Sequence, residues 1–164
     1  MGRILRLERG ILPIYLIRDR IPRIHPERFI IGNTPQQVIR MTNSHHHVAV
    51  LGASPKPARY ANQCIRLLQH HGYTITPVHP RFALIEELPV SHSLAAIDDP
   101  VDTLTLYVGP KLLEPQAEDI VRLKPGRVIF NPGTESAAVQ ERLTQAGIEW
   151  FEACTLVMLK TDQF

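Results

Sequence analysis

Four short stretches of this sequence carry residue types suited to holding a phosphorylated ligand. The first reads Gly52-Ala53-Ser54-Pro55-Lys56-Pro57-Ala58-Arg59-Tyr60. Small residues at 52–54 let the backbone approach an oxyanion closely, and the Ser54 hydroxyl can donate to one of its oxygens. The N–H groups that open a following helix favour a negative charge. Lys56 and Arg59 add two cations. The run departs from the G-x-G-x-x-G pattern, because Ser54 and Pro57 stand where the second and third glycines would be. Taken alone, Gly-Ala-Ser is explained equally well as a tight turn. The second stretch, Pro77-Val78-His79-Pro80-Arg81, lacks the carboxylate that would bind a ribose 2′-hydroxyl at this position. Its Arg81 instead suits a phosphorylated ribose, the competing account being a solvated surface charge after a strand that Pro80 ends. In the third, Tyr107 and Val108 precede Gly109-Pro110 and offer either an apolar wall or ordinary core. The fourth is Asn131-Pro132-Gly133-Thr134-Glu135, whose amide and hydroxyl groups can contact a base or a ribose. Thr134 also reads as the N-cap of the helix that follows.

These stretches need a frame that brings them to one edge, and the hydrophobic pattern supplies it. From Val48 onward, apolar β-rich runs alternate with amphipathic ones, the pattern of a parallel sheet with crossover helices. Strands are predicted at Val48–Leu51, Thr74–His79, Thr103–Val108, Arg127–Phe130 and Glu149–Ala153, with a small edge strand within Ala83–Val90. Helices are predicted at Arg59–His71, Ser93–Ile97, Leu113–Leu123 and Ser136–Ala146. The expected fold is α/β: a doubly wound, mainly parallel sheet of five or six strands with helices on both faces. In such a sheet the ligand crevice lies beyond the carboxyl ends of the strands, where all four stretches fall. On this reading the ligand carries either the 3′-phosphate of coenzyme A or the 2′-phosphate of NADP.

Composition narrows the class. With 44% hydrophobic and 21% charged residues in 164, the chain has the make-up of a soluble globular domain, and no apolar run is long enough for a membrane span. Cys64 and Cys154 are too few for a secreted disulfide scaffold, so reduced thiols and a cytoplasmic location are expected. The net charge of +2 is unevenly spread: in residues 1–40 eight arginines meet only Glu8, Asp19 and Glu27, a local net of +5 that leaves −3 for the rest. A mildly acidic domain matches a nucleic-acid backbone poorly. Residues 1–44 mix Arg, Ile and Pro without a clean period, so this basic leader reads as a disordered segment or as sequence translated upstream of a start at Met41. A basic arm for a partner or a membrane surface is the other reading. The triplet His45-His46-His47 converges badly on one ion from an extended chain and reads as a solvated lead-in to the first strand.

In order along the chain, Val48-Ala49-Val50-Leu51-Gly52-Ala53-Ser54-Pro55, Gly72-Tyr73, Pro77-Val78-His79-Pro80, Val101-Asp102-Thr103, Val128-Ile129-Phe130-Asn131-Pro132-Gly133 and Glu152-Ala153-Cys154-Thr155-Leu156 form a connected set of motifs. This set resembles the free-standing CoA-binding proteins, single Rossmann-like domains similar to the CoA-binding domain of the succinyl-CoA synthetase alpha subunit. The resemblance spans Val48–Leu159 and makes residues 45–164 the CoA-binding domain. It implies that Gly52 to Lys56 hold the CoA phosphates, that Arg81 meets the nucleotide, and that Asn131 to Gly133 line the adenosine side. Two positions depart from the family pattern: His79 stands where Asn is usual, and Arg81 where Lys is common.

The synthetase subunit works with a phosphohistidine-bearing second domain and a partner subunit, for which a chain ending at Phe164 leaves no room. Motifs such as H-E-x-x-H and G-x-S-x-G are missing from the sequence. The expectation is therefore a non-catalytic module that stores, senses or presents CoA or acyl-CoA, with an NADP-binding oxidoreductase or redox-sensing domain as the alternative. A homo-oligomer is compatible with the sequence. Cys154 is read either as a buried small hydrophobe or as a thiol near the crevice that exchanges with the CoA thiol.

Overall fold

The computed structural model describes residues 45–164. The leader reading for residues 1–44 lies outside the described residues.

Five strands form one parallel sheet: β1 (His47–Leu51), β2 (Thr74–Val78), β5 (Thr103–Leu106), β6 (Arg127–Phe130) and β7 (Glu149–Glu152), in spatial order β2-β1-β5-β6-β7. Every neighbouring pair is parallel. The three central strands are almost wholly buried, β1 and β6 along apolar runs and β5 with the Thr103 and Thr105 side chains buried beside its leucines, whereas β2 and β7 are part-exposed edges. Alternation along β1 feeds two cores. Val48 and Val50 pack under α1 (Tyr60–His70) and α5 (Thr155–Lys160), while Ala49 and Leu51 face the layer of α2 (Pro110–Leu113), α3 (Ala117–Leu123) and α4 (Ala137–Gln145). The predicted Rossmann-like doubly wound architecture is what the chain adopts.

Local chemistry explains the element ends. On α1, Ala61, Cys64, Ile65 and Leu68 recur at helical spacing and are buried. The helix stops at Gly72, whose φ of +79° lets the Tyr73 N–H return to the Leu68 carbonyl at 3.1 Å. Helix α4 opens on Ser136, whose Oγ accepts from the Val139 N–H.

Several details correct the sequence reading. The α4 cap is Ser136, not Thr134, because Thr134 turns its hydroxyl back to donate to the Asn131 carbonyl at 2.8 Å. The helix expected over Leu113–Leu123 is broken into α2, a 3₁₀ turn at Glu114–Gln116 and α3, since Pro115 cannot continue the i→i−4 ladder. The stretch 83–90 does not extend the sheet. It folds as an antiparallel hairpin of β3 (Leu84–Ile85) and β4 (Leu88–Pro89). Strand β5 ends at Leu106 rather than Val108, and β2 at Val78 rather than His79. The Ser93–Ile97 helix is a 3₁₀ turn at Leu94–Ala96, and α5 is an element the hydrophobic pattern did not announce. Nor is the histidine triplet merely solvated. His47 is buried in β1, with Nδ1 2.7 Å from the Pro100 carbonyl and Nε2 2.8 Å from Thr76 Oγ1, and His46 Nε2 lies 2.9 Å from Thr103 Oγ1.

Candidate functional site

The chain leaves β1 toward β2 on one side and later returns to β5 on the other, so the crevice of the sheet opens between the carboxyl ends of β1 and β5. A cavity of about 950 Å³ lies there. Its floor begins at Gly52, where φ is +85° and an added Cβ would stand 2.6 Å from Val108 Cγ1 and 2.9 Å from the Tyr107 backbone. Only glycine lets β1 turn so close to β5. The Gly52 and Ala53 N–H groups both donate to the Val78 carbonyl at 3.1 and 3.2 Å, which ties this turn to the end of β2.

Ser54 Oγ accepts from the Lys56 N–H at 3.3 Å, folding the loop over itself ahead of α1. The N-cap residue Arg59 offers no side-chain cap to that helix. The Asn62 N–H already closes on the Arg59 carbonyl at 3.0 Å, so the Tyr60 and Ala61 N–H groups are the ones left to face an entering anion. Lys56 and Arg59 line the cavity from this loop, and Arg81 lines it from the loop after β2. All three are exposed and make no ion pair among the described residues. In the second loop, His79 Nδ1 accepts from the Arg81 N–H at 3.1 Å and its ring lies 4.5 Å from that of Phe82. Partial burial, reinforced by the Arg81 charge, lowers the His79 pKa, and an Nδ1 that accepts from the Arg81 N–H leaves the proton of the neutral ring on Nε2.

Of the residues singled out in the sequence, Gly52, Ala53, Ser54, Pro55, Lys56, Arg59, His79, Pro80, Arg81, Tyr107, Val108, Pro132 and Gly133 all border this one cavity. Asn131 does not. Its side chain is buried: Nδ2 donates to Thr105 Oγ1 at 2.7 Å and to the Leu106 carbonyl at 3.0 Å, while Oδ1 accepts from the Thr155 N–H at 2.8 Å. It is a strut joining β5, β6 and α5, with both amide hydrogens and Oδ1 engaged inside the protein. Tyr107 serves both expected roles. It walls the cavity, yet its hydroxyl is buried without a well-formed hydrogen bond. That burial drives its pKa far up, with the Cys64 thiol beside it, itself pushed up by burial to about 12. Cys154 packs against the same cluster and does not line the cavity, which removes the geometry expected for direct exchange with a bound thiol.

The model of the CoA binding domain family matches residues 46–160, a span holding both the phosphate loop and the strand-end loops just described. The chain belongs to the CoA binding domain family. Among solved structures of similar fold, a conserved hypothetical protein from Pyrococcus furiosus is 31% identical with a TM-score of 0.64, over 68% of this chain and 97% of that one. A Thermus thermophilus protein is 27% identical with a TM-score of 0.68, over 81% of this chain and all of that one. The chain is also similar to an ADP-forming acetate–CoA ligase of Archaeoglobus fulgidus, 29% identical over 94 residues. That match spans 57% of this chain but only 14% of the ligase.

For a member of this family the cavity has further walls beyond the residues singled out as site residues. Phe82, Tyr60 and Leu112 border it, and Tyr60 and Leu112 are 72% and 67% exposed. Their exposure leaves apolar surface open at the cavity mouth. Tyr60 already closes the first stretch, and extending the second by one residue past Arg81 finds Phe82. Leu112, in the short helix after Gly109-Pro110, gave no such signal.

Proposed function

We propose that the protein binds coenzyme A or an acyl-CoA in this cavity, as a non-catalytic module that stores, senses or presents its ligand. The observation that carries the reading is the charge of the lining: Lys56, Arg59 and Arg81 converge from two loops, and among the described residues no carboxylate borders the cavity with them. Three unpaired cations at a sheet rim suit a ligand with a pyrophosphate and a ribose phosphate. The Tyr60 and Ala61 N–H groups at the start of α1 supply backbone donors on the same side. Family membership and the likeness to a segment of a CoA ligase support coenzyme A over other phosphorylated nucleotides.

The non-catalytic part of the proposal rests on the site's chemistry. Among the described residues the one histidine on the lining, His79, spends Nδ1 on its own loop, and both cysteines lie off the lining. Reduced thiols, Cys64 buried and Cys154 partly exposed, fit the cytoplasm, and among the described residues no helix is long and apolar enough to cross a membrane.

Thermal-shift titration with CoA, acetyl-CoA, NADP and NAD tests the ligand assignment. CoA and acetyl-CoA should raise Tm with concentration, and the nicotinamide nucleotides should not. A larger shift with NADP than with CoA overturns the assignment, and turnover of acetyl-CoA by purified protein overturns the non-catalytic role.

A further inference from the structure

The two-residue turn of the β3–β4 hairpin is Glu86-Glu87, with φ of +47° and +65°. Turns of this hand favour Asn-Gly, and neither residue here is suited to the left-handed region. Such a backbone persists when its surroundings hold it, and it points to a role for what holds it. Here α1 does the holding, through one stripe of side chains. Gln69 Nε2 donates to the Glu86 carbonyl at 3.0 Å, Arg66 Nε lies 3.9 Å from Glu86 Oε2, and Asn62 Nδ2 donates to Glu86 Oε1 at 2.9 Å. Asn62 is fully buried, and its Nδ2 also donates to the Ser54 carbonyl at 2.9 Å. One amide nitrogen has two hydrogens, so both are committed: one to the strained turn, one to the phosphate loop.

We propose that Glu86 is a positioning residue for the phosphate loop, acting through Asn62, so that the hairpin sets how Ser54 to Lys56 meet the ligand. Without the Glu86 carboxylate, one Asn62 hydrogen loses its acceptor in a buried site, and the amide is free to rotate away from Ser54. The Ser54 carbonyl then no longer fixes the orientation of the loop that carries the Ser54 hydroxyl and the Lys56 cation. The role rests on the CoA-binding reading for its ligand but not for its geometry.

Three variants of the full chain test it. Glu86→Gly keeps the left-handed turn accessible while removing the carboxylate. Glu86→Gln restores an acceptor for Asn62. Gln69→Ala loosens the hairpin backbone without touching the Asn62 contacts. Calorimetry with CoA should show binding about tenfold weaker in Glu86→Gly and near wild type in the other two. In ligand-free protein, the Ser54 and Lys56 amide resonances should move in Glu86→Gly alone. Wild-type affinity and unmoved amides in Glu86→Gly overturn the proposal, as does an equal loss in Gln69→Ala, which would make Glu86 a hairpin anchor only. Should wild-type protein ignore CoA, the ligand assignment fails by itself and the amide resonances alone decide the role of Glu86.

Discussion

The side chains that make this site divide into those that would touch a ligand and those that set the backbone beneath it, and substitution separates the two. Replacing Lys56, Arg59 or Arg81 by Ala should weaken CoA binding by about tenfold each while leaving Tm unmoved, because all three are exposed and make no ion pair among the described residues. Calorimetry beside a melting curve checks both halves. Gly52→Ala should behave in the opposite way. Its Cβ would collide with Val108 and the Tyr107 backbone at a φ of +85°, so a loss of roughly 2–5 kcal/mol in urea unfolding is expected together with loss of binding. Asn131→Ala should cost about 3 kcal/mol, from three buried hydrogen bonds and the partners they strand. Sequence alone shows that an asparagine at a strand end can serve a ligand. It does not show that Thr105, Leu106 and Thr155, scattered over fifty positions, have already engaged both its amide hydrogens and its oxygen.

Elements were legible to the degree that they bury a regular face. The strands β1 and β6 are largely apolar runs, β5 alternates leucines with buried β-branched threonines, and α1 and α4 carry helical periodicity between clear stop signals. Short elements were not legible. Six-residue α5 has too few turns to show a period, Pro115 divides a longer amphipathic stretch, and the β3–β4 turn lacks the Asn-Gly signature because α1 holds it from outside. The entry to β1 has a testable consequence of its own. Burial, with Arg127 adding to it against Asp102, lowers the His46 pKa below its ordinary value of 6.5. The unfolded chain therefore binds a proton near that pH that the folded state resists. Stability should be fully present above pH 6.5 and fall as the pH drops below it. His46→Gln should flatten this slope in denaturant titrations across pH 5 to pH 8, and an unchanged slope would remove His46 as its source.

At the scale of the molecule, strand order does most of the work. Because β1 lies between β2 and β5, the loops after all three strands meet at one rim, although the chain visits them more than fifty residues apart. That rule of open sheets is why thirteen of the fourteen residues chosen from sequence share a single cavity. What the strand rule could not foresee is the hairpin that grips α1 from below, since no periodicity connects Glu86 to Ser54. The central claim is that the rim's three cations capture coenzyme A. Isothermal titration of CoA into the full-length protein, beside a Lys56→Ala, Arg59→Ala, Arg81→Ala triple variant, tests it most directly. Saturable binding by the native protein, weakened by added salt and abolished in the triple variant, is the predicted result. No heat of binding at millimolar CoA, or equal affinity in the triple variant, would contradict it.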